Sequence, residues 1–142
     1  MRFFQTAVFF FASLFASQAF AETPTVGGEV LFIEYCASCH GVGAKGNGPA
    51  ASGLKTPPPD LTKIAARRNG VWPMLEVISI IDGYMKLTNA REDMPVFADL
   101  NEGPTVDFDS GNGLVTPVSA KLVALVDYLE SIQSPKPVRS VP

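Results

Sequence analysis

The stretch CASCHG, residues 36–41, contains both cysteines and the single histidine of this 142-residue chain. Two thiols that are separated by two residues and followed at once by an imidazole form the C-x-x-C-H arrangement of covalent haem attachment. Cys36 and Cys39 would join the two vinyl groups of a haem as thioethers, and His40 would bind the iron through Nε2. The motif therefore predicts one haem c, anchored by Cys36 and Cys39, with His40 as an axial ligand.

Three other uses of the same residues are less consistent with the sequence. A zinc site needs four ligands, and these three residues would need carboxylates from elsewhere. A redox-active dithiol usually accompanies a βαβ pattern, which is not predicted here. A structural disulfide between Cys36 and Cys39 would close a loop too small to add much stability. Haem attachment is the favoured interpretation.

The second axial ligand cannot be another histidine, because the chain has one. Methionine, lysine, the chain amine or water remain. Met1 lies in a segment that we expect to be removed, and Met74 lies in the first turn of an apolar predicted helix, where a core role suits it. Met85 in DGYMKL and Met94 in REDMPVF are the other methionines. Pro95 favours an extended backbone at Met94, which projects its side chain away from the local backbone. We favour Met94 over Met85.

The chain begins with a short positive start and an apolar run that ends in small residues at Ala19 and Ala21. This pattern is typical of a cleaved secretory signal peptide, and we place the cleavage after Ala21. An uncleaved membrane anchor is disfavoured because the apolar run is short for a span of about 20 residues and is interrupted by polar side chains. The sequence predicts a signal peptide over residues 1–21 and one exported, periplasmic domain over residues 22–142.

The mature chain has ten Lys and Arg against fourteen Asp and Glu, a net charge of −4. No basic stripe is available for nucleic acid. Residues 45–91 contain seven basic and three acidic side chains, whereas residues 92–109 contain six acidic and no basic ones. This distribution is either an ordinary solvated surface or a dipolar molecule whose two sides attract different partners.

Four segments have helical character, and they cover residues 27–39, 60–68, 73–83 and 119–133. In the last of them one apolar stripe recurs at helical spacing; it is formed by Leu122, Leu125, Val126, Leu129 and Ile132. No convincing strand is predicted. Residues 112–118 could pair briefly, but Pro117 weakens that possibility.

The ends of these helices have recognisable residues. Asp60 can cap the second helix, because its carboxylate can accept from free amides of the first turn. Asn69 and Gly70 then end that helix. Pro73 suits the first position of the third helix, and Gly83 can take the left-handed conformation that follows its last turn.

Two long segments rich in glycine and proline, residues 41–59 and 84–117, lie between the helices. Structureless loops of this length are unusual in a compact domain unless something organises them. A large prosthetic group would do so, and we expect it to provide much of the core.

The sequence resembles the small single-haem class I cytochromes c of bacteria over nearly all of the mature chain. CASCHG matches their attachment motif, and MPVF is similar to the M-P-x-F/W stretch that brings the distal methionine to the iron. Gly28, Phe32 and Cys36 are spaced four apart, as in the first helix of that family. LVDYL resembles the family's C-terminal helix, in which an aromatic residue, here Tyr128, packs across the first helix near Gly28. GNGPAASGLKTPPPDLT resembles a subgroup of respiratory electron carriers and subunits.

The resemblance implies an all-α class I cytochrome c fold, with three to five helices wrapped around a haem that has one exposed edge. It also implies a proline carbonyl that accepts a hydrogen bond from the Nδ1–H group of the proximal histidine. Pro49 and the run of residues 57–59, which ends at Pro59, are the two candidates. Residues 98–117 depart from the family, because they are longer and more acidic than the connection requires. They could shield the distal side or meet a partner.

Three further residues are candidates for hydrogen bonds to the haem propionates. Arg67 and Arg68 could make charge-assisted bonds, and the indole N–H of Trp72 could donate. An ordinary surface role for the arginines and a packing role for the tryptophan remain the alternatives.

A haem that is closed on both sides by His40 and Met94 has no open position for a substrate. The sequence therefore predicts a one-electron carrier, not an enzyme, with a relatively high potential because thioether sulfur favours Fe(II). A haem c subunit of a larger respiratory or dehydrogenase complex is the first alternative. A haem enzyme or gas sensor with an open sixth position is the second. The expected partners are redox proteins, with no nucleic acid, no small-molecule substrate and a membrane only through a partner complex; we expect a monomer.

Overall fold

A computed structural model describes residues 27–84, 94–109 and 113–141. The expected signal peptide and Met85 lie outside the described residues. The α-helices in the described part are α1 (Gly28–Tyr35), α2 (Ala37–His40), α3 (Met74–Ile81) and α4 (Ala120–Ser131). Short 3-10 helices lie at Ala51–Gly53, Leu61–Lys63, Ala66–Arg68 and Ala98–Asn101. The strands are β1 (Val71–Pro73), β2 (Thr105–Asp109), β3 (Val115–Ser119) and β4 (Arg139–Val141).

Helices α1 and α4 cross in direct backbone contact at Gly28. A Cβ atom on Gly28 would lie 2.0 Å from the carbonyl oxygen of Ala124 and 2.8 Å from Cβ of Tyr128. One turn further along α1, the rings of Phe32 and Tyr128 have centroids 5.5 Å apart. The expected crossing of Tyr128 over the first helix is confirmed, and it depends on the missing side chain of Gly28.

The apolar stripe of α4 forms the centre of the core. Four of its five predicted members are buried and Ile132 is half-buried. They pack against residues of the other helices and loops, and the largest fully buried side chains of the described chain are Trp72, Phe32, Leu100, Leu122, Leu125 and Val126. The C-terminal helix thus supports the elements that carry the cysteines and the histidine.

The second predicted helix, residues 60–68, is not a continuous α-helix but two 3-10 helices. Asp60 caps the first of them as expected, since its carboxylate accepts from the N–H group of Thr62 at 2.8 Å. In a continuous α-helix the N–H group of Ala65 would donate to the carbonyl of Leu61. Here the carboxamide of Gln133 lies between them, accepting from Ala65 at 3.0 Å and donating to Leu61 at 2.8 Å. A side chain inserted into the hydrogen-bond ladder interrupts the helix.

The expectation that no convincing strand would form is wrong, because the described residues contain two small sheets. β1 pairs in parallel with β4, and β2 pairs antiparallel with β3, with Asp107 opposite Pro117. A two-stranded sheet consists entirely of edge strands, and edge strands tolerate proline. The expected third helix also starts one residue later, because Pro73 is the last residue of β1 and the N-cap of α3.

The loop over residues 41–59 folds back onto α2 through backbone hydrogen bonds. The N–H groups of Gly46 and Gly48 donate to the carbonyls of His40 and Cys39, at 2.8 and 3.0 Å. After this loop, the N–H group of Leu61 donates to the carbonyl of Ala44 at 2.7 Å. Within the described ranges, none of the helices has both the length and the apolarity that crossing a membrane requires.

Candidate haem site

The two thiols and the imidazole lie on one helical turn. The N–H group of His40 donates to the carbonyl of Cys36 at 2.9 Å, and that of Cys39 donates to the same carbonyl at 3.2 Å. Both cysteines are free thiols and both are half-buried. Two residues between them in a helical turn present both sulfur atoms to the same space, as the motif predicts.

This space is a cavity of about 540 Å³, and its wall contains Cys36, Cys39, His40 and Met94. Its volume lies within the range of about 300–1,000 Å³ that is usual for cofactor and ligand pockets. Much of the remaining wall is apolar and includes Leu54, Leu61, Ile64, Val77, Ile81 and Leu129. Two thiols, an imidazole and a thioether around one apolar cavity fit a covalently attached haem.

The imidazole of His40 is oriented by the backbone of Pro59. With its proton on Nδ1, His40 donates to the Pro59 carbonyl oxygen at 3.3 Å, which leaves Nε2 free. Burial lowers the pKa of His40, and the hydrogen bond to Pro59 opposes that shift. His40 is therefore neutral at pH 7, which is the form that binds metal ions. Of the two candidate prolines, Pro59 makes this contact, whereas Pro49 is exposed and absent from the cavity wall.

The environment of Cys36 keeps its thiol protonated. Burial, followed by the proximity of Cys39, raises the pKa of Cys36 to about 11. The reactive form of a cysteine is the thiolate, which this environment disfavours. The arrangement is unlike that of a redox-active dithiol, whose attacking thiol has a lowered pKa.

Met94 belongs to a segment that is fixed by two packing contacts. The ring of Phe97 lies edge-on to that of Tyr35, with centroids 5.3 Å apart. Val96 packs over Gly83, where a Cβ atom would lie 2.5 Å from a Val96 methyl carbon. Gly83 has the left-handed backbone expected of it, with φ of 87°. These contacts hold the chain just after Met94 against α1 and the end of α3.

The structure does not bring the proposed propionate partners to the cavity wall. Arg67 is exposed and donates to the Asp60 carbonyl at 2.9 Å, and Arg68 forms an ion pair with Glu76. Trp72 is fully buried in the core, and its indole N–H has no hydrogen-bond partner in the part of the chain that the structure describes.

Sequence analysis did not identify Gln133, Tyr35 or Phe97 as residues that support the site. Gln133 is the last residue of a predicted helix, and nothing in its local sequence indicates that its side chain is buried against residues 61–65. The sequence indicated Phe97 only as the last residue of the MPVF stretch, without a role of its own. Its partner Tyr35 lies directly before Cys36, and that adjacency to the motif is the one signal that could have drawn attention to it.

A model of a known protein family matches this chain. The family model described as Cytochrome c matches residues 26–103, which is more than half of the chain. The matched region contains the C-x-x-C-H turn, the Pro59 carbonyl and Met94. Neither the curated proteins nor the solved structures that were searched contain a match.

Proposed function

This chain belongs to the cytochrome c family, and we propose that it is a one-electron carrier of the bacterial single-haem type, with iron held between His40 and Met94. It has the class I cytochrome c fold, mostly helical with two small sheets, and one haem c bound covalently through Cys36 and Cys39. Members of the family are haem-binding electron carriers. The family match does not identify the axial ligand pair, the location or the partners, and we propose these in addition.

The assignment of His40 and Met94 as the two iron ligands is supported by their position in the wall of the same cavity. When bound, the haem supplies a single-electron exchange between Fe(II) and Fe(III), and a thioether ligand favours Fe(II). The chain's own residues orient the ligands and exclude water. Pro59 fixes the imidazole of His40, the contacts of Phe97 fix the Met94 segment, and apolar side chains fill the wall. A site held in this way changes little between the two oxidation states.

The purified protein tests this function directly. We expect a redox titration with one electron per chain, and a reduced protein that does not bind carbon monoxide because both axial positions are occupied. Mass spectrometry of the denatured protein is expected to show one haem on residues 22–142. An as-purified protein that is high-spin and binds carbon monoxide readily would show an open iron and favour a haem enzyme or gas sensor.

We place the protein in the periplasm after removal of residues 1–21. The support is the sequence alone: a positive start, an apolar run and small residues at Ala19 and Ala21, a pattern typical of signal peptides. N-terminal sequencing of the mature protein is expected to identify Glu22 as its first residue. A haem-bearing protein that begins at Met1 and stays in the membrane fraction would identify an uncleaved anchor instead.

We propose that the protein works as a monomer. We also propose that redox proteins with acidic surfaces dock beside its cavity. Lys55 lies on the cavity wall and Lys45 is exposed in the same loop, within the basic segment 45–91. Charges at an exposed surface are screened beyond about 10 Å at 0.1 M salt. Electron-transfer rates at limiting concentration are therefore expected to fall as salt increases, and a flat salt profile would argue against docking at this surface.

Although Trp72 is absent from the cavity wall, it remains our candidate donor to a haem propionate, because its buried indole N–H lacks a partner in the described residues. The contacts of Arg67 and the exposure of Pro49 support no role for them at the haem. A Trp72→Phe variant removes the N–H group and keeps an aromatic ring. We expect it to change the pH dependence of the reduction potential, which propionate hydrogen bonds influence; an unchanged profile would leave Trp72 as a core residue.

A second candidate function, a haem c subunit of a larger respiratory or dehydrogenase complex, is favoured by the β2–β3 hairpin. The hairpin, Thr105 to Ser119, lies outside the residues that the family model matches, and Asp107 and Asp109 are exposed on it. A subunit would copurify with a membrane complex after mild solubilisation, and an Asp107→Lys variant would weaken that association. A free carrier would remain in the soluble periplasmic fraction.

A further inference from the structure

Gln133, just beyond the end of α4, is 3 % exposed and has a fully engaged carboxamide. Its Oε1 atom accepts from the N–H group of Ala65 at 3.0 Å. Its Nε2 group donates to the carbonyls of Leu61 at 2.8 Å and Leu129 at 2.7 Å. A buried amide with its oxygen and both of its donors paired is energetically favourable only as a complete set, since an unpaired buried polar group is costly.

The two groups that Gln133 binds in the segment 61–65 are an i, i−4 pair. They would bond to each other in an α-helix, and the carboxamide substitutes for that bond while satisfying both. The next residue adds a second tie, because the Ser134 N–H group donates to the Thr62 carbonyl at 2.9 Å. The residues that follow α4 thus hold residues 61–65 out of a regular α-helix, with a 3-10 helix at Leu61–Lys63.

This segment is directly connected to the proximal side of the cavity. Leu61 and Ile64 are part of the cavity wall, and Pro59, two residues before Leu61, presents its carbonyl to His40. On the other side, the N–H group of Leu61 is tied to Ala44 at 2.7 Å. If residues 61–65 rewound into a regular helix, Leu61 would lose its bond to Gln133 and the path of the chain after Pro59 would change.

We propose that Gln133 is a positioning residue for the His40–Pro59 hydrogen bond, and thereby sets the reduction potential of the haem. The inference rests on the proposed ligation of iron by His40. A hydrogen bond from Nδ1–H to a carbonyl makes the imidazole more basic, and a more basic ligand stabilises Fe(III). If the Pro59 carbonyl is held less firmly, its hydrogen bond with His40 weakens, Fe(III) is stabilised less, and the reduction potential rises.

The test compares two haem-loaded variants of α4 and its end. Gln133→Met keeps an unbranched side chain of similar length but removes the acceptor and both donors. Leu125→Ala is the matched control, because Leu125 is fully buried in α4 and is absent from the cavity wall. For each variant, the midpoint potential is measured, together with hydrogen-exchange rates of the Ala65 N–H and the His40 Nδ1–H groups by NMR.

For Gln133→Met we expect a higher reduction potential and faster hydrogen exchange of the Ala65 N–H and His40 Nδ1–H groups. The weak visible absorption band that is characteristic of iron bound to methionine sulfur should remain unchanged. Leu125→Ala is expected to lower thermal stability and leave the potential and the His40 exchange rate as they are. An unchanged potential and His40 exchange rate in Gln133→Met would overturn the proposal. Equal shifts in both variants would overturn it as well, because they would reflect general loosening.

Native-state hydrogen exchange in the unmodified protein covers the case in which Gln133→Met fails to fold. At low denaturant, His40 Nδ1–H and Ala65 N–H are expected to exchange through one shared opening, as members of one cooperative unit. Separate openings would overturn the proposal. The same spectra identify a failure of the proposed ligation, which would appear as His40 ring protons without a paramagnetic shift; failure of the inference alone leaves that shift intact.

Discussion

The Nδ1 atom of His40 lies 3.3 Å from the carbonyl oxygen of Pro59, 19 residues further along the chain. The intervening loop reaches this position by folding back on α2, and at Gly46 it lies directly against the backbone of Pro58. A Cβ atom on Gly46 would lie 2.0 Å from the Pro58 carbonyl oxygen, and its φ is 78°. The proximal hydrogen bond therefore depends on a glycine that lies outside the motif and the cavity wall.

A Gly46→Ala substitution is expected to displace the Pro58–Pro59 backbone and weaken the hydrogen bond to His40. The left-handed backbone alone costs an alanine about 1–2 kcal/mol, and the contact with Pro58 adds to it. We expect lower stability and a higher reduction potential, measured by chemical unfolding and by redox titration of the haem protein. Gly43→Ala is the control, since a Cβ atom there meets nothing within 4 Å. If both variants behave alike, the contact at Pro58 does not control the histidine.

The α1–α4 crossing gives a prediction about stability. Gly28→Ala would bring a methyl group to 2.0 Å from the Ala124 carbonyl, and the helices would have to separate. Overpacking of this kind costs about 1–3 kcal/mol, measured as the free energy of unfolding. Gly53→Ala, at a site with no atoms within 4 Å of the added carbon, is expected to change it little. A Gly28→Ala protein as stable as the unmodified one would mean that the helices are not in backbone contact.

Asp60 gives a prediction about acid stability. The Thr62 hydroxyl donates to the Asp60 carboxylate and lowers the pKa of Asp60 below its usual value. Burial opposes this shift, whereas the Thr62 N–H group and the positive charges of Lys63 and Lys45 add to it. A carboxyl group with a lowered folded pKa stabilises the protein above its unfolded pKa of about 3.9, and this contribution is lost as pH falls through the folded value.

The Thr62→Val variant is therefore expected to be less stable than the unmodified protein at pH 7, with a difference that shrinks below about pH 4. Unfolding by denaturant between pH 2 and pH 7 measures this difference. Thr116→Val, at an exposed position of β3, is the control and should show no such pH dependence. A stability difference for Thr62→Val that stays constant over the whole range would contradict the role of Asp60.

Features of the fold that depend on local sequence were predicted correctly. Asp60 caps a helical turn, Gly83 has a left-handed backbone, and the apolar spacing of α4 corresponds to a buried stripe. Each depends on residues within one or two turns of each other, so the sequence contains the whole signal. The cysteines and His40 belong to the same class, because the attachment motif occupies a single helical turn.

The features that were not predicted depend on contacts between distant residues. The break in the helix at residues 61–65 comes from Gln133, and the parallel pairing of β1 with β4 joins Val71 to Arg139. No local pattern specifies either contact. The choice between Pro49 and Pro59 likewise follows from the path of the loop after His40, which is set by backbone hydrogen bonds to α2 and not by the prolines themselves.

The distal ligand is tested most directly by the visible spectrum of a Met94→Ala protein in its Fe(III) state. We expect loss of the weak band near the red edge that is characteristic of iron bound to methionine sulfur. A lower reduction potential and carbon monoxide binding in the reduced state should accompany this loss, because the replacement ligands favour Fe(II) less than a thioether does. Met74→Ala is the control; its side chain packs against the core away from the cavity wall, so stability should fall and the band should remain. A Met94→Ala protein that keeps the band, with Met85→Ala losing it, would contradict ligation by Met94.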